Sequence, residues 1–522
     1  MTRPEMLKRL HSHSSEWDII IAGGGATGVG VAIDAASRGY DTLLLEGSDF
    51  GKGTSSRSTK LVHGGVRYLE QGNISLVMEA LKERGILRQN APHLVSDLAF
   101  VVPNYDWWEA PFYGLGLKIY NLLSGKYGFG ASKILSREET LEHLPTLNRE
   151  GLRGGVIYYD GQFDDARLLI NMVATAAEQG ATLINYARVN AVTKGSDGFV
   201  NGVVARDAES GEEFTATAKV VVNATGPFTD SVRKLADPGV EAMISPSQGV
   251  HLVFDRSFLP GNSAIMVPHT SDGRVLFAIP WHGHTLVGTT DTPIAEATLD
   301  PSPMEEEIEF ILKTAGEYLH KAPARDDVLS VFTGIRPLVK ASGAGNTAAL
   351  SRDHTIQIDE SGLLNITGGK WTTYRHMAED CVNHAATLGK LPERECVTKG
   401  LSIHGFFGQP DRSEHLSVYG SDAAAIHELM DSEPELSQLL TSALPYVGAE
   451  VIWAVRHEMA RTLDDVLSRR TRALFLNAEA AIEAAGKVAF LMACELGQDA
   501  QWEANQLAVF RRVAARFVLP SS

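Results

Sequence analysis

The chain has 522 residues and a mass of 56.4 kDa, which is more than one hydrophobic core supports and predicts roughly two to four domains. Its 47 Lys and Arg residues against 64 Asp and Glu residues give a net charge of −17, which argues against a general nucleic-acid-binding protein because such proteins need a basic surface. The three cysteines are widely spaced, no HExxH or CxxC pattern predicts a metal site, and no run of about 18 apolar residues predicts a membrane span. We therefore expect a protein of a reducing compartment that does not cross a membrane.

The first strong pattern is a βαβ unit. Residues 17–22 are typical of a buried strand, the glycine pattern Gly23-x-Gly25-x-x-Gly28 follows, and a small-residue helix leads to a second buried strand that ends in Glu46. The glycines allow backbone N–H groups to approach a pyrophosphate, and Glu46 suits ribose hydroxyls, which argues against the 2′-phosphate of NADP. The unit predicts FAD or NAD binding, with a purely structural glycine turn as the alternative.

The stretch 54–70, TSSRSTKLVHGGVRYLE, places hydroxyls, glycines and cationic groups directly after the predicted ribose-binding acid. NAD-binding folds need no second loop of this kind, so the stretch favours FAD. A serine-rich surface turn is the alternative interpretation, because Ser and Gly are ordinary turn residues.

The remaining elements predict a discontinuous nucleotide-binding domain. Short strands recur at 182–184, 202–206 and 220–224, and 165–179 has the pattern of an amphipathic helix. We predict an FAD-binding domain from 17–75, 151–230 and 331–400, with a second, sheet-containing substrate domain inserted from 76–150 and 231–330. Residues 411–522 are rich in Ala, Leu and Glu and predict a helical domain, in which 453–472 is expected to form an amphipathic helix with a charged outer face.

Several motifs resemble one known family, the FAD-dependent glycerol-3-phosphate dehydrogenases of the respiratory, or aerobic, type. They are 19–46, IIIAGGGATGVGVAIDAASRGYDTLLLE; the stretch 54–70; 164–167, DDAR; 222–227, VNATGP; 279–291, IPWHGHTLVGTTD; 334–338, GIRPL; and 368–375, GGKWTTYR. Two departures are Gln248, where relatives often carry Lys, and an N-terminal extension of roughly a dozen residues.

The resemblance implies an α/β fold: a glutathione-reductase-like, Rossmann-type FAD-binding domain, an inserted antiparallel-sheet substrate domain and a helical C-terminal domain. It implies oxidation of sn-glycerol 3-phosphate to dihydroxyacetone phosphate, with electrons passed through FAD to a respiratory quinone. We also expect a cytoplasmic protein attached peripherally to the inner face of the cell membrane, with a homodimer as a further expectation. The net charge of −17 argues against a nucleic-acid partner.

Candidate site residues fall into three sets. Those expected to bind FAD are Gly23, Gly25, Ala26, Thr27, Gly28, Glu46, Thr54, Ser55, Ser56, Ser58, Lys60, Leu61, His63, Ala224, Gly226, Gly334, Gly369, Lys370 and Thr372. A substrate phosphate in so acidic a protein needs cationic donors, and Arg is favoured because its planar fork meets two oxygens. The substrate set is Arg67, Tyr68, Arg336, Arg352 and Lys370, with solvated surface cations as the alternative. The catalytic set is His251, His63, Arg336 and Lys370, in which either histidine is a candidate base because His titrates near neutral pH.

Three segments are candidates for membrane contact: a basic amphipathic piece at 3–10, another at 507–518, and the aromatic stretch 107–117. The 507–518 piece also fits an ordinary terminal helix packed on its own domain. Two other functions stay open on the residues alone: an oxidase of the same fold that reduces oxygen to peroxide, and an FAD-containing RNA-modifying or regulatory binding protein.

Overall fold

The computed structural model describes residues 1–65, 73–106, 109–268, 270, 274–340 and 354–520. The helices are α1 Arg3–Ser12, α2 Ala26–Ser37, α3 Ile74–Asn90, α4 Glu109–Ser124, α5 Arg137–His143, α6 Asp165–Glu178, α7 Thr229–Ala236, α8 Glu305–Tyr318, α9 Tyr374–Leu388, α10 Ala423–Ser432, α11 Gly448–His457, α12 Ala473–Leu476, α13 Ala478–Leu496 and α14 Ala500–Ala514. The strands are β1 Trp17–Ala22, β2 Thr42–Leu45, β3 Leu61–Val62, β4 Val95–Asn104, β5 Lys133–Ser136, β6 Gly154–Phe163, β7 Thr182–Ile184, β8 Ala187–Lys194, β9 Val200–Asp207, β10 Glu213–Asn223, β11 Ile244–Asp255, β12 Ser263–Val267, β13 Leu276–Trp281, β14 His284–Gly288, β15 Thr292–Pro293, β16 Val328–Val339, β17 His354–Ile358, β18 Leu364–Gly368, β19 Leu439–Thr441 and β20 Leu444–Val447.

The first sheet has the order β17-β18-β10-β1-β2-β7, and β1 pairs in parallel with both β10 and β2. Strands β1 and β2 read as nearly continuous hydrophobic runs because a central parallel strand is covered on both faces. Helix α2 leaves the carboxyl end of β1 and packs against α9 and α6. This is the Rossmann-type unit, and the predicted fold class is confirmed.

The second sheet is larger and mostly antiparallel. Its order is β15-β11-β14-β13-β12-β4-β6-β3, with β16 paired to β11 and β5 paired to β6. The β11–β16 pairing extends over most of both strands and aligns Ser247 with Arg336 and His251 with Phe332. Two candidate site residues are thereby placed on neighbouring strands.

The observed sheets differ from the predicted domain ranges at three strands. Strands β3, β6 and β16 belong to the second sheet, although their residues fall within ranges predicted for the FAD-binding domain. The cause is long-range pairing: β6 runs antiparallel to β4 over ten residue pairs, from Val95↔Phe163 to Asn104↔Gly154. The order of elements along the sequence does not reveal how β4 and β6 pair. The predicted boundaries at 75, 150 and 330 therefore do not coincide with the sheets.

The C-terminal region consists of α10 to α14 and the hairpin β19–β20. Its apolar residues join those of the second sheet in one core, where Phe332 and Phe475 lie 4.9 Å apart. Within the described ranges, no helix is both long and apolar enough to cross a bilayer.

Both terminal helices lie against the protein itself. In α1, Met6 and Leu10 are buried in the hydrophobic core around the first sheet. Arg3 is also buried, and it contacts the Asn185 carbonyl and Asp207. In α14, Phe510 is likewise buried in the C-terminal core. The apolar faces that suggested membrane contact at 3–10 and 507–518 are therefore used in folding.

Candidate functional site

The glycine turn is a close-packed crossing of backbones. Because β1 and β10 are parallel, Ala22 aligns with Asn223 and the 224–226 turn lies beside Gly23. Gly23 has φ +109°, and a Cβ there would lie 2.6 Å from the Ala224 carbonyl oxygen. A Cβ on Gly28 would lie 1.9 Å from the Gly23 carbonyl oxygen. Only glycine fits at these two positions, as a dinucleotide-binding turn requires.

The N-terminus of α2 presents backbone amides that could bind a ligand. Gly25 is the N-cap and supplies no capping side chain, so the first amides of the helix point outward without an intrahelical partner. Ser55 Oγ accepts from the Ala26 amide at 2.9 Å, and Trp371 Nε1 donates to the Ser55 carbonyl at 2.8 Å. The 54–56 turn and the 371 region are thus both fixed at the positive end of the helix.

Glu46 follows β2 and lies beside the glycine turn. Its Oε2 accepts from the Gly24 amide at 2.6 Å and its Oε1 from the Ser48 amide at 2.7 Å. Burial raises the pKa of this carboxyl, an effect that the two amides oppose. The residue is half-buried beside the glycine turn, the position in which a dinucleotide-binding fold places its ribose-binding acid.

The loop 54–63 connects the two sheets around this turn. Thr54 Oγ1 donates to the Ile335 carbonyl at 2.6 Å, and the His63 amide donates to Thr372 Oγ1 at 3.1 Å. A Cβ on Gly334 would lie 2.8 Å from the Arg57 carbonyl. The structure therefore brings the candidates Thr54, Ser55, His63, Gly334 and Thr372 together from three separate segments.

Other cofactor candidates are placed differently. Lys60 Nζ is fully buried and donates to the Ser56 carbonyl at 2.9 Å and to Asp165 at 2.7 Å. Ser58 Oγ also donates to Asp165, at 2.7 Å. The side chains of Lys60 and Ser58 therefore point toward the first residue of α6. Leu61 packs in the core shared by the second sheet and the C-terminal region.

His251 lies on β11 and is almost completely buried. Its ring stacks on Phe332 at 4.8 Å and 12°, and Nε2 forms a 2.9 Å hydrogen bond with Thr59 Oγ1. Burial lowers the pKa of this imidazole well below its usual value, and the positive charges of Lys60 and Arg336 lower it further. Among the described residues, Nδ1 has no hydrogen-bond partner. The ring is neutral at pH 7, and Nδ1 is a buried nitrogen to which none of the described residues bonds.

Arg336 extends from β16 across β11. Nη1 donates to Asp291 at 3.1 Å and Nη2 donates to the Thr290 carbonyl at 2.9 Å. Its side chain is 27% exposed. Lys370 precedes the 371–373 turn, directly after Gly369, whose φ of +68° turns the chain. The candidates Arg67, Tyr68 and Arg352 lie outside the described residues.

The sequence analysis missed the contribution of the C-terminal region to this neighbourhood. Residues 465–470 form one turn of π-helix, and Arg469, Arg470 and Arg472 are all buried rather than on a charged outer face. Their partners are in the N-terminal half: Asp49 accepts from Arg469 and Arg470, and Asp165 accepts from Arg472. Three arginines in four residues were the only signal in the sequence, and such a run is more often a solvated surface.

Comparison with known proteins identifies the family. Residues 18–375 match the FAD dependent oxidoreductase family, and residues 364–503 match the C-terminal domain of alpha-glycerophosphate oxidase. The mitochondrial glycerol-3-phosphate dehydrogenase of Homo sapiens is 42% identical over 534 residues, covering 96% of this chain and 73% of that protein. The mitochondrial enzyme of Arabidopsis thaliana is 41% identical over 537 residues, covering 95% of this chain and 85% of that protein.

A solved structure with the same architecture is the glycerol-3-phosphate dehydrogenase of Bacillus halodurans complexed with FAD. Its TM-score is 0.81 at 31% identity, and the match covers all of this chain and 98% of that one. The L-alpha-glycerophosphate oxidase of Mycoplasma pneumoniae, at 16% identity and a TM-score of 0.58, shares the fold alone.

The residues present fit FAD. The glycine crossing at Gly23 and Gly28 leaves no space for a side chain, the start of α2 offers free amides to a pyrophosphate, and Glu46 is placed for a ribose. The chain therefore belongs to the family of FAD-dependent oxidoreductases, and its identity of 41–42% over nearly its whole length places it with the glycerol-3-phosphate dehydrogenases of that family.

Proposed function

We propose that the protein oxidises sn-glycerol 3-phosphate to dihydroxyacetone phosphate and passes the electrons to a quinone. The observation that carries the proposal is the likeness to glycerol-3-phosphate dehydrogenases across both the FAD-binding and the C-terminal regions. When bound, FAD accepts the hydride from carbon 2 of the substrate. The chain's own residues must then bind the phosphate and take the hydroxyl proton.

Proton transfer is assigned to His251. Its ring is neutral and none of the described residues bonds to the buried Nδ1, while Thr59 holds Nε2 and Phe332 fixes the ring plane. A buried neutral imidazole accepts a proton readily only where the developing positive charge is offset. A dianionic phosphate held nearby supplies that offset, so substrate binding favours the charged form of His251. His63, whose amide is tied to Thr372, is the alternative base.

Phosphate binding is assigned to Arg336 with Lys370. Asp291 and the Thr290 carbonyl orient the guanidinium without covering it completely. An Arg oriented in this way meets two phosphate oxygens at once, and Lys370 adds a second positive charge. Arg67, Tyr68 and Arg352 belong to the same proposed set on their sequence position.

The visible spectrum of the anaerobic protein tests the reaction directly. Adding sn-glycerol 3-phosphate should bleach the oxidised flavin band, and sn-glycerol 1-phosphate should not. A flavin spectrum unchanged by the substrate would leave the family assignment intact and refute the proposed reaction.

Electron transfer to quinone is proposed together with peripheral membrane contact through α4. This helix has a buried side that includes Tyr113, Leu117 and Tyr120. Its other side exposes large apolar residues, namely Phe112 at 52%, Leu115 at 65%, Ile119 at 42% and Leu122 at 80%. A contiguous apolar face of this kind is typical of a membrane or protein contact. The residues Trp107 and Trp108, predicted to belong to this patch, lie outside the described residues.

Vesicle binding of charged variants tests the contact. In Leu115→Glu/Leu122→Glu, we expect loss of co-sedimentation with anionic phospholipid vesicles and loss of quinone reduction, while reduction of a soluble dye persists. Phe490→Glu is the matched control, because Phe490 is 58% exposed on the C-terminal domain. Equal binding of both variants would refute the assignment of α4. Stoichiometric peroxide formation under air would favour the oxidase alternative over quinone reduction.

A further inference from the structure

The DDAR motif at 164–167 is buried, and the proposed reaction uses none of its side chains directly. Asp164 caps α6, since its Oδ1 accepts from the amides of Ala166 and Arg167 at 3.1 and 3.0 Å. Arg167 pairs with Glu458 of the C-terminal domain. The motif is therefore a junction between the FAD-binding domain and the C-terminal domain.

Asp165 connects the motif to the cofactor loop, and none of its surface is exposed. Its Oδ2 accepts from the Ser58 amide at 3.0 Å, from Ser58 Oγ at 2.7 Å and from Lys60 Nζ at 2.7 Å. Its Oδ1 accepts from Arg472 Nη2 at 3.2 Å. One carboxylate thus fixes two alternate residues of the cofactor loop and ties them to the C-terminal domain.

Lys60 depends on this carboxylate. Burial lowers the pKa of its amine to about 7, an effect that Asp165 opposes. Its backbone is also left-handed, with φ +65°, which is a strained conformation for a residue with a long side chain. Without Asp165, the buried ammonium of Lys60 loses its nearest carboxylate and keeps the Ser56 carbonyl.

Thr59 stands between the two residues that Asp165 holds. Its Oγ1 is the hydrogen-bond partner of His251 Nε2 at 2.9 Å. Lys60 Nζ also lies 4.9 Å from the Phe332 ring on which His251 stacks. The position of Thr59, and with it the hydrogen bond of His251, is set by the residues on either side.

We propose that Asp165 is a positioning residue for the reaction: it holds Ser58 and Lys60 so that Thr59 fixes the imidazole of His251, and Arg472 makes the C-terminal domain part of this arrangement. The inference rests on the proposed function. Asp165 itself touches neither substrate nor cofactor and acts only through Thr59.

A double-mutant cycle measured by anaerobic stopped-flow tests the proposal. We expect Asp165→Asn and Thr59→Val each to lower the limiting rate of flavin reduction by about tenfold, with the substrate Kd changed by less than about threefold. Because both act on one hydrogen bond, the double variant should be no slower than the slower single variant. Thr59→Ser, which keeps the hydroxyl, should restore the wild-type rate.

A matched control separates positioning from stability. Glu450 is as deeply buried as Asp165 and accepts from Tyr419 and the Val447 amide in the C-terminal domain. Glu450→Gln should lower the thermal midpoint and leave the limiting rate unchanged. Should Asp165→Asn fail to fold, Ser58→Ala removes one of the contacts and should slow reduction by about threefold.

Nitrogen NMR of ¹⁵N-histidine-labelled protein gives a readout that does not depend on turnover. The Nε2 signal of His251, assigned with His251→Gln, should shift in Asp165→Asn as it does in Thr59→Val, and remain unchanged in Glu450→Gln. The proposal would be overturned if the rate reductions of the two single variants multiplied in the double variant. It would also be overturned if Asp165→Asn had the same limiting rate and the same Nε2 chemical shift as the wild type. If wild-type flavin were not reduced by the substrate, the proposed function would fall, while the NMR comparison would still decide whether Asp165 sets the His251 hydrogen bond.

Discussion

Replacing Asp49 by Asn removes the charge that holds two arginines of the C-terminal domain inside the FAD-binding domain. Asp49 is fully buried; its Oδ2 accepts from Arg469 Nε and Arg470 Nη1, each at 2.6 Å, and its Oδ1 accepts from Arg470 Nη2 at 3.0 Å. Burial alone would raise the pKa of this carboxyl, but Arg470 and Arg469 bring it below its ordinary value. The group is therefore ionised at pH 7, and the wild-type contact is between charges.

The magnitude follows from what remains in the variant. Removing one partner of a buried ion pair lowers the free energy of unfolding by about 3–5 kcal/mol, because the other charge stays buried. Arg469 keeps Asp464 and Asp465 as partners, at 3.0 and 2.9 Å, so we expect the lower end, about 3 kcal/mol. The urea m-value of a chain this long exceeds the about 1–3 kcal/mol/M of small proteins, so the unfolding midpoint should fall by up to about 1 M.

Urea unfolding of the holoenzyme, followed by circular dichroism and tryptophan fluorescence, measures this shift. Asp18→Asn is the control, since Asp18 pairs with the partly exposed Lys219 at 2.8 Å and a surface pair contributes about 0–1 kcal/mol. If the two variants shifted the midpoint equally, or if Asp49→Asn shifted it by less than about 0.2 M, the reasoning about the buried cluster would be refuted.

Three further outcomes are expected. Gly28→Ala should yield folded protein without flavin, seen as loss of the visible band with an intact far-ultraviolet spectrum, because the added carbon would lie 1.9 Å from a carbonyl oxygen; normal flavin content would contradict the assigned turn. Arg336→Ala should raise the KM for sn-glycerol 3-phosphate at least about tenfold with little change in the flavin spectrum, and an unchanged KM would rule out phosphate binding by this residue. Hydrogen bonds to Asp422 and Glu178 raise the pKa of His404 to about 10, so its contribution to stability is complete below the unfolded pKa of about 6.5 and is lost as pH rises toward 10. The difference in urea midpoint between wild type and His404→Ala should therefore shrink from pH 6 to pH 10, and a constant difference would contradict the shift.

The sequence predicts best where a local pattern carries the chemistry. The strand, glycine turn, helix and acid from Trp17 to Glu46 lie in one continuous stretch, and their roles depend on neighbours a few residues away. The confirmed family resemblance extended this to the fold class and to FAD. Arg336 was predicted from the 334–338 motif and His251 as a histidine suited to act as the base, whereas their positions on paired strands come from the structure.

Long-range pairing is what the sequence does not contain. The bond between Thr59 and His251 spans 192 positions and that between Asp49 and Arg469 spans 420. Neither residue of such a pair carries a local signal of its partner, so Asp165 and Arg472 were not identified as neighbours of the site. The exposed face of α4 was anticipated only as an aromatic stretch, since burial of Tyr113 on its other side depends on tertiary packing.

The separation of Asp49 and Arg469 along the sequence determines the order in which the two residues are synthesised. Asp49 leaves the ribosome about 420 residues before Arg469, which corresponds to about 20–80 s at 5–20 residues per second. During that interval the nascent nucleotide-binding unit holds acidic groups whose partners have not been made. A polypeptide that ends just before residue 465 therefore contains Asp49 and Asp165 but lacks the three arginines that pair with them.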